Sequence, residues 1–147
     1  MAIFSRFGFK RPAEDRPLIE REIVELTKAL FDAIARRDTD YILGMSASDG
    51  VAAIFKEASI RATRLSEFLE ELGDEPCHYR LLVPDIRLLV HLTQAMALVP
   101  YEAIFDNGSA YFGSMSFIFM KRSGTWIISS VTQIRSLTII GNSDALR

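Results

Sequence analysis

Apolar residues recur at three- and four-residue spacing through Ile19, Ile23, Leu26, Leu30 and Ile34, while Glu20, Glu22, Glu25, Lys28 and Arg36 fill the opposite side. That period predicts an amphipathic helix over about residues 18–36, with Pro17 in its first turn. Asp38 or Thr39 is placed to cap a second, shorter helix carrying Tyr41, Ile42 and Met45, which Ser46–Gly50 ends. Val51–Phe55 reads as a short strand, with a partner around Ser59–Ala62 after a turn through Lys56 and Glu57. Leu65, Phe68, Leu69 and Leu72 mark a third helix, with Ser66 as its cap and Gly73 as its stop.

Beyond residue 77 the period changes to two. Residues 77–90 form one strand-like run in which Pro84 marks a bulge or an edge. Residues 94–105 form a second run. Asp106-Asn107-Gly108 is a hairpin signal, residues 109–121 form a third run, Ser123-Gly124 turns, and residues 125–137 form the last. Helices first and long strands afterwards predict an α+β fold, with three N-terminal helices packed on a long, bent antiparallel sheet. Residues 1–16 stand apart as an arm in which Ile3, Phe4, Phe7 and Phe9 alternate with Arg6, Lys10, Arg11 and Arg16. Such an arm either packs on its own domain or touches an acidic surface or partner groove. The domain proper is expected at 17–140, followed by a polar tail at 141–147.

Composition narrows the function. The chain has 147 residues, 49% hydrophobic and 24% charged, with a net charge of −2. It is long enough for one core without disulfide or metal support. The acidic balance supplies no basic face for a nucleic acid. The longest uncharged stretches, Leu88–Tyr101 and Asn107–Met120, fall short of the roughly 20 apolar residues of a transmembrane helix. Cys77 is the single cysteine, and His78 and His91 are the only histidines. A disulfide within the chain is therefore impossible, and no metal-ligand spacing is present. A cytoplasmic setting and no cofactor are the expectation. Mean hydropathy is +0.16, somewhat apolar for so small a domain, which hints at a pocket, an oligomer interface or both.

The order of elements resembles the nuclear transport factor 2-like superfamily, which includes ketosteroid isomerase and the SnoaL-like cyclases. The local markers are Ala-Arg-Arg-Asp-Thr-Asp at 35–40, Asp49-Gly50 before the first strand, and Lys121-Arg122-Ser123-Gly124-Thr125-Trp126-Ile127-Ile128 at the last hairpin. The resemblance covers about residues 18–138. It implies a cystatin-like cone in which the sheet curls round the long helix, a pocket between them, and dimers through the outer sheet face. Alignment on Asp38, Asp49 and Gly124 places Leu30, Ile54 and Ser116 near the positions where the isomerases carry their catalytic Tyr and two Asp residues. The isomerase set is therefore missing.

The same alignment turns Leu98, Pro100, Glu102 and Ile104 of one strand inward, and Phe112, Ser114, Ser116 and Ile118 of the next. It also turns Ile127, Ser129, Val131 and Gln133 of the last strand inward, and leaves Tyr101, Phe105, Tyr111, Phe117, Phe119 and Trp126 outside. A slip of one residue would reverse every assignment. Glu102 becomes the candidate acid–base group, since a carboxylate among Leu98, Ile104 and Phe112 would resist ionisation. The alternative is a Glu near the rim paired with Arg80 or Arg87. Leu30, Ile54, Leu98, Phe112, Ser114, Ser116, Ser129 and Gln133 are the candidate ligand-lining residues. Three readings follow. The leading one is a pocket protein for a small apolar molecule. The second is an isomerase, dehydratase or cyclase acting through Glu102. The third is a homodimeric interaction module paired through the outer sheet face, with the arm recruiting a partner.

Overall fold

The computed structural model describes residues 10–56 and 58–140, with the backbone alone for 10–15 and 136–140. The order is α1 (Lys10–Arg36), α2 (Thr39–Gly44), β1 (Ser46–Lys56), β2 (Ser59–Arg64), α3 (Leu65–Asp74), β3 (Cys77–Leu81), β4 (Arg87–Val90), β5 (Gln94–Phe105), β6 (Ala110–Arg122) and β7 (Thr125–Ile140). This is the α+β arrangement that the periodicity predicts. Residues 1–9 and 141–147, with Ile3, Phe4, Phe7 and Phe9 of the arm, lie outside the described residues.

The long helix starts earlier than its apolar stripe. It begins at Lys10 and runs through Pro17, across the expected boundary at residue 17. Pro17 lies inside the helix, where a proline keeps a helical φ but removes one backbone hydrogen bond and crowds the carbonyl four residues before it. Arg16 and Glu20 pair across it at 3.2 Å. Asp38 is the N-cap of α2, and its carboxylate accepts from the Tyr41 N–H at 3.2 Å. The Ser46–Gly50 segment, expected only to end that helix, is the first half of β1, and the Ile128 N–H donates to the Met45 carbonyl. On α3 the apolar stripe is buried as its spacing predicts, but Arg64 rather than Ser66 stands at the cap position.

The strands form one sheet in the order β2-β1-β7-β6-β5-β3, with β4 also paired to β5. All pairings are antiparallel except β1 with β7, which corrects the fully antiparallel expectation. The 77–90 run is two strands, split by a 3-10 turn at Val83–Asp85. Pro84 sits in that turn, where its missing N–H costs nothing. The last hairpin turns through Ser123 and Gly124, both at positive φ. Two positive φ values in succession match the right-handed strand twist.

The core lies between α1, α3 and the inner sheet face. Ile19, Ile23, Leu30, Phe31 and Ile34 of α1 pack on Ala95, Ala97, Val99 and Tyr101 of β5 and Met115, Phe117 and Phe119 of β6. The inward set on β5 and β6 is therefore the odd-numbered one, opposite to the expectation. Tyr101, Tyr111, Phe117, Phe119 and Trp126 are buried, whereas Leu98 and Phe112 are exposed. Both faces of these strands carry apolar residues, so hydrophobicity alone cannot choose between them. Packing chooses: the alanines of β5 permit close approach of α1, and the aromatics of β6 fill its flanks.

β7 shows why no single alternation could have worked. Ile118 pairs with Ser130 but Phe119 pairs with Ile128, leaving Ser129 as the extra residue of a bulge. Trp126 and Ile128 point inward before the bulge, and Val131 and Gln133 point inward after it. A bulge adds one residue and reverses the parity of everything beyond it. The expectation was accordingly right for Val131 and Gln133 and reversed for Trp126, Ile127 and Ile128.

Candidate functional site

The cone interior is filled by a string of rings. Phe31 of α1 meets Phe117 and Tyr79 edge-on, with centroids 6.0 and 6.1 Å apart. Tyr79 then meets Tyr101 at 5.6 Å, and Tyr101 meets Tyr111 at 6.0 Å. Edge-to-face contacts of this kind are favourable beyond their buried area. They fill the space between α1 and the inner face of β3, β5 and β6.

Space remains in two small cavities beside α3. One cavity of about 130 Å³ is lined by Phe31, Arg37, Glu75, Cys77, His78 and Tyr79, among others. A smaller one of about 50 Å³ is lined by Ile54, Phe68, Glu75, Gln133, Arg135 and the Arg61–Glu71 ion pair, among others. Both touch Leu72 and Glu75, so they are neighbours. Gln133 is buried, and its amide Nε2 donates to the Tyr101 hydroxyl at 2.8 Å. Arg135 stacks over the Tyr111 ring at 4.3 Å and faces Glu75 at 3.9 Å.

Two hydroxyls in this region make no well-aligned hydrogen bond among the described residues, those of Tyr79 and Tyr111, although the Cys77 thiol stands beside the first and the Tyr101 hydroxyl beside the second. Leaving a buried hydroxyl unsatisfied costs about 1–3 kcal/mol. Burial pushes the ionisation of Tyr79, Tyr101 and Tyr111 upward in each case, so all three remain protonated donors at neutral pH. Burial likewise raises the Cys77 thiol.

The sequence-derived candidates divide between the two faces. Leu30, Ile54 and Gln133 are on the core side, and the structure brings Ile54 and Gln133 together at the smaller cavity. Leu98, Phe112, Ser114 and Ser116 are on the outer face, which corrects their inward assignment. Ser129 sits at the β7 bulge, where its hydroxyl donates to the Ile118 carbonyl at 3.2 Å. Glu102 lies on the outer face beside Phe112 and pairs with Arg80 at 3.2 Å, so the cone-lining placement is corrected. It matches the paired-rim alternative instead. His91 is in the connection between β4 and β5. Sequence reasoning missed Tyr79, Tyr111 and Arg135. The signal for Tyr111 was the β6 alternation, read one residue out of step, whereas Arg135 continues the correctly read alternation of Val131 and Gln133 by one more step.

Among the described residues no three His, Cys, Asp or Glu side chains are grouped as metal ligands. No described helix is long and apolar enough to cross a membrane.

The architecture has many relatives of known structure. The association domain of C. elegans CaMKII is 20% identical, with a TM-score of 0.63 over 81% of this chain and 98% of that one. An NTF2-like protein of unknown function from Pseudomonas putida is 16% identical, with a TM-score of 0.68 over 83% and 89%. An NTF2-like protein with a cystatin-like fold from Novosphingobium aromaticivorans is 16% identical, with a TM-score of 0.65 over 92% and 94%. No family model and no curated protein sequence matches. At these identities the likeness establishes the fold, which is the NTF2-like, cystatin-like α+β fold.

Proposed function

We propose that this chain is a self-assembling module that pairs through its outer sheet face with the same face of a second copy. The observation that carries this is the composition of that face. The β-ladder aligns Leu89, Met96, Ile118, Ser130 and Val51 in one row across the sheet. The next row is Leu98, Ser116, Thr132, Ala53 and Ala62, and a third is Pro100, Ser114, Ile134, Phe55 and Ile60. Leu98 is 39% exposed, Ile134 51% and Ile60 69%. Charges stand only at the ends of the first two rows, at Arg64 and Arg87, and in the row beyond the third, where Arg80 faces Glu102.

An apolar centre with a charged rim is interface anatomy. Six strands span about 24 Å, and the twelve residues of β5 run about 40 Å. The face can thus supply the roughly 800 Å² that each partner of a standard interface buries. A contiguous apolar face of this size is a liability on a monomer. The likeness to a domain described as an association domain points the same way. Tyr101, Tyr111, Phe117, Phe119 and Trp126, expected outside, are buried in the core, so the interface rests on different residues. A large apolar ligand inside the cone is the weaker reading, because the string of rings leaves only cavities of about 130 and 50 Å³ beside it.

The test is mass in solution. At micromolar concentration the protein should elute at twice 16.6 kDa or a higher multiple by light scattering. The double variant Leu98→Glu, Ile134→Glu should give the single-chain mass with unchanged circular dichroism. A wild-type monomer would overturn the proposal.

A further inference from the structure

We propose that the groove between α1 and the β6–β7 hairpin is the docking site of this chain's own N-terminal arm, with Ile3 seated in the groove beside Trp126 and Phe7 against Leu18. The groove lies on the helix side of the sheet, so its occupancy is independent of pairing through the outer face.

The groove has a volume of about 590 Å³ and is lined by Leu26 and Ala29 of α1, by Gly124 and Trp126 of the hairpin, and by Glu22 and Glu25, among others. Gly124 leaves its end of the groove open: a Cβ there would meet nothing within 4 Å. The Trp126 indole is held in place by its hydrogen bond to the Glu22 carboxylate at 2.9 Å. Leu18 extends the apolar strip toward the head of the helix. It precedes Glu22, Glu25 and Ala29 by four, seven and eleven residues, which puts all four on one helix face. That face is not the core face, and Leu18 is 56% exposed. Leu18 and the groove together form a continuous apolar strip, which marks a docking surface.

The arm fits this strip in composition and in reach. Nine residues precede Lys10, outside the described residues, and Ile3, Phe4, Phe7 and Phe9 are among them. They are tethered to the same helix that forms one wall of the groove, so docking is intramolecular and has a high effective concentration. Gly8 stands where the chain must reverse to run back along α1, and glycine adopts positive φ at no steric cost. In an extended arm Ile3 and Phe7 share one side. Phe7 is three residues from Lys10, about 10 Å of extended chain, which equals the rise of about seven helical residues. That brings Phe7 level with Pro17 and Leu18. Ile3 is seven residues from Lys10, about 23 Å, or the rise of about fifteen helical residues. That brings Ile3 level with Glu25 and Leu26, inside the groove. The register depends on the arm starting at the head of this same helix, which favours the chain's own arm over that of a second copy.

Trp126 is the only tryptophan, so its emission reports on the groove. A nitroxide, which quenches indole emission at short range, is attached to Ala2→Cys in a chain that also carries Cys77→Ser. The labelled chain should lose most of its Trp126 emission relative to the unlabelled one. The double variant Ile3→Asp, Phe7→Asp should restore it, and so should Leu18→Glu. Circular dichroism should be unchanged in both, since Leu18 is exposed and the arm precedes the core. Equal emission with and without the nitroxide would overturn the proposal, as would quenching that survives both sets of substitutions. Occupancy by a second copy is tested by mixing. Unlabelled wild-type chain should keep its emission beside a labelled Trp126→Phe chain that retains the wild-type circular dichroism; quenching there would overturn the intramolecular assignment.

Discussion

Gly113 is a glycine because Tyr101 lies across it. A Cβ there would stand 2.6 Å from the Tyr101 hydroxyl oxygen and 2.8 Å from the Ile134 carbonyl oxygen. One of those neighbours is backbone and the other is the ring that Gln133 holds, so neither yields freely. Gly113→Ala should cost about 1–3 kcal/mol, as overpacking does, read by chemical denaturation. A second expectation concerns pH. Tyr79, Tyr101 and Tyr111 all have ionisation raised above the ordinary value of 10.0, with burial the largest cause. A folded-state pKa above the unfolded one means that the unfolded chain loses protons first. The stability these groups contribute is whole below pH 10 and falls as pH rises beyond it. In an alkaline titration, tyrosinate absorbance from these three should appear together with loss of ellipticity. Smooth ionisation of all four tyrosines with the fold intact would contradict it.

At the scale of elements, the tie between α1 and β7 is Trp126. Its indole N–H donates to the Glu22 carboxylate at 2.9 Å, and Lys121 sits over the ring at 5.5 Å. A hydrogen bond to a charged acceptor contributes about 1.5–3 kcal/mol. Trp126→Phe should lower stability by that amount or more, since ring area is lost as well, whereas Lys121→Met should change it far less. A shift in the denaturation midpoint equal for both would show that the hydrogen bond contributes nothing. Turns were the most legible elements, and of the two expected helix caps Asp38 stands at its position while Ser66 does not. The Asp38 cap, the Gly108 hairpin and the Ser123-Gly124 turn are all where local chemistry puts them. The helix start at Lys10 was not legible, because Pro17 reads as a beginning when seen without the turns before it.

At the scale of the molecule, the sheet has one face on the core and one apolar face outward. If that outer face pairs two copies, thermal stability should rise with protein concentration, because mass action favours the associated folded state. A melting temperature that is flat over a hundredfold dilution at micromolar levels would argue for a monomer. The candidate site is also a property of the whole. Tyr79, Tyr101, Tyr111, Gln133 and Arg135 come from β3, β5, β6 and β7, and no spacing in the chain joins them.

The chain by itself determined the element order, the α+β class, the amphipathic stripe of α1, and the turn chemistry. Each depends on contacts within a few residues, or on a period that repeats locally. It did not determine which face of β5 and β6 is the inside. Both faces are apolar, and the choice depends on whether Ala95, Ala97 and Ala103 or Met96, Leu98 and Ile104 meet the helix. Nor did it reveal the bulge at Ser129, in a strand that pairs with β6 on one side and β1 on the other. Only the tertiary packing of α1 across the sheet decides these points, because the approach of distant segments sets which face meets the helix: the alanines of β5 give it room, and Tyr101, Phe117 and Phe119 fill the space beside it.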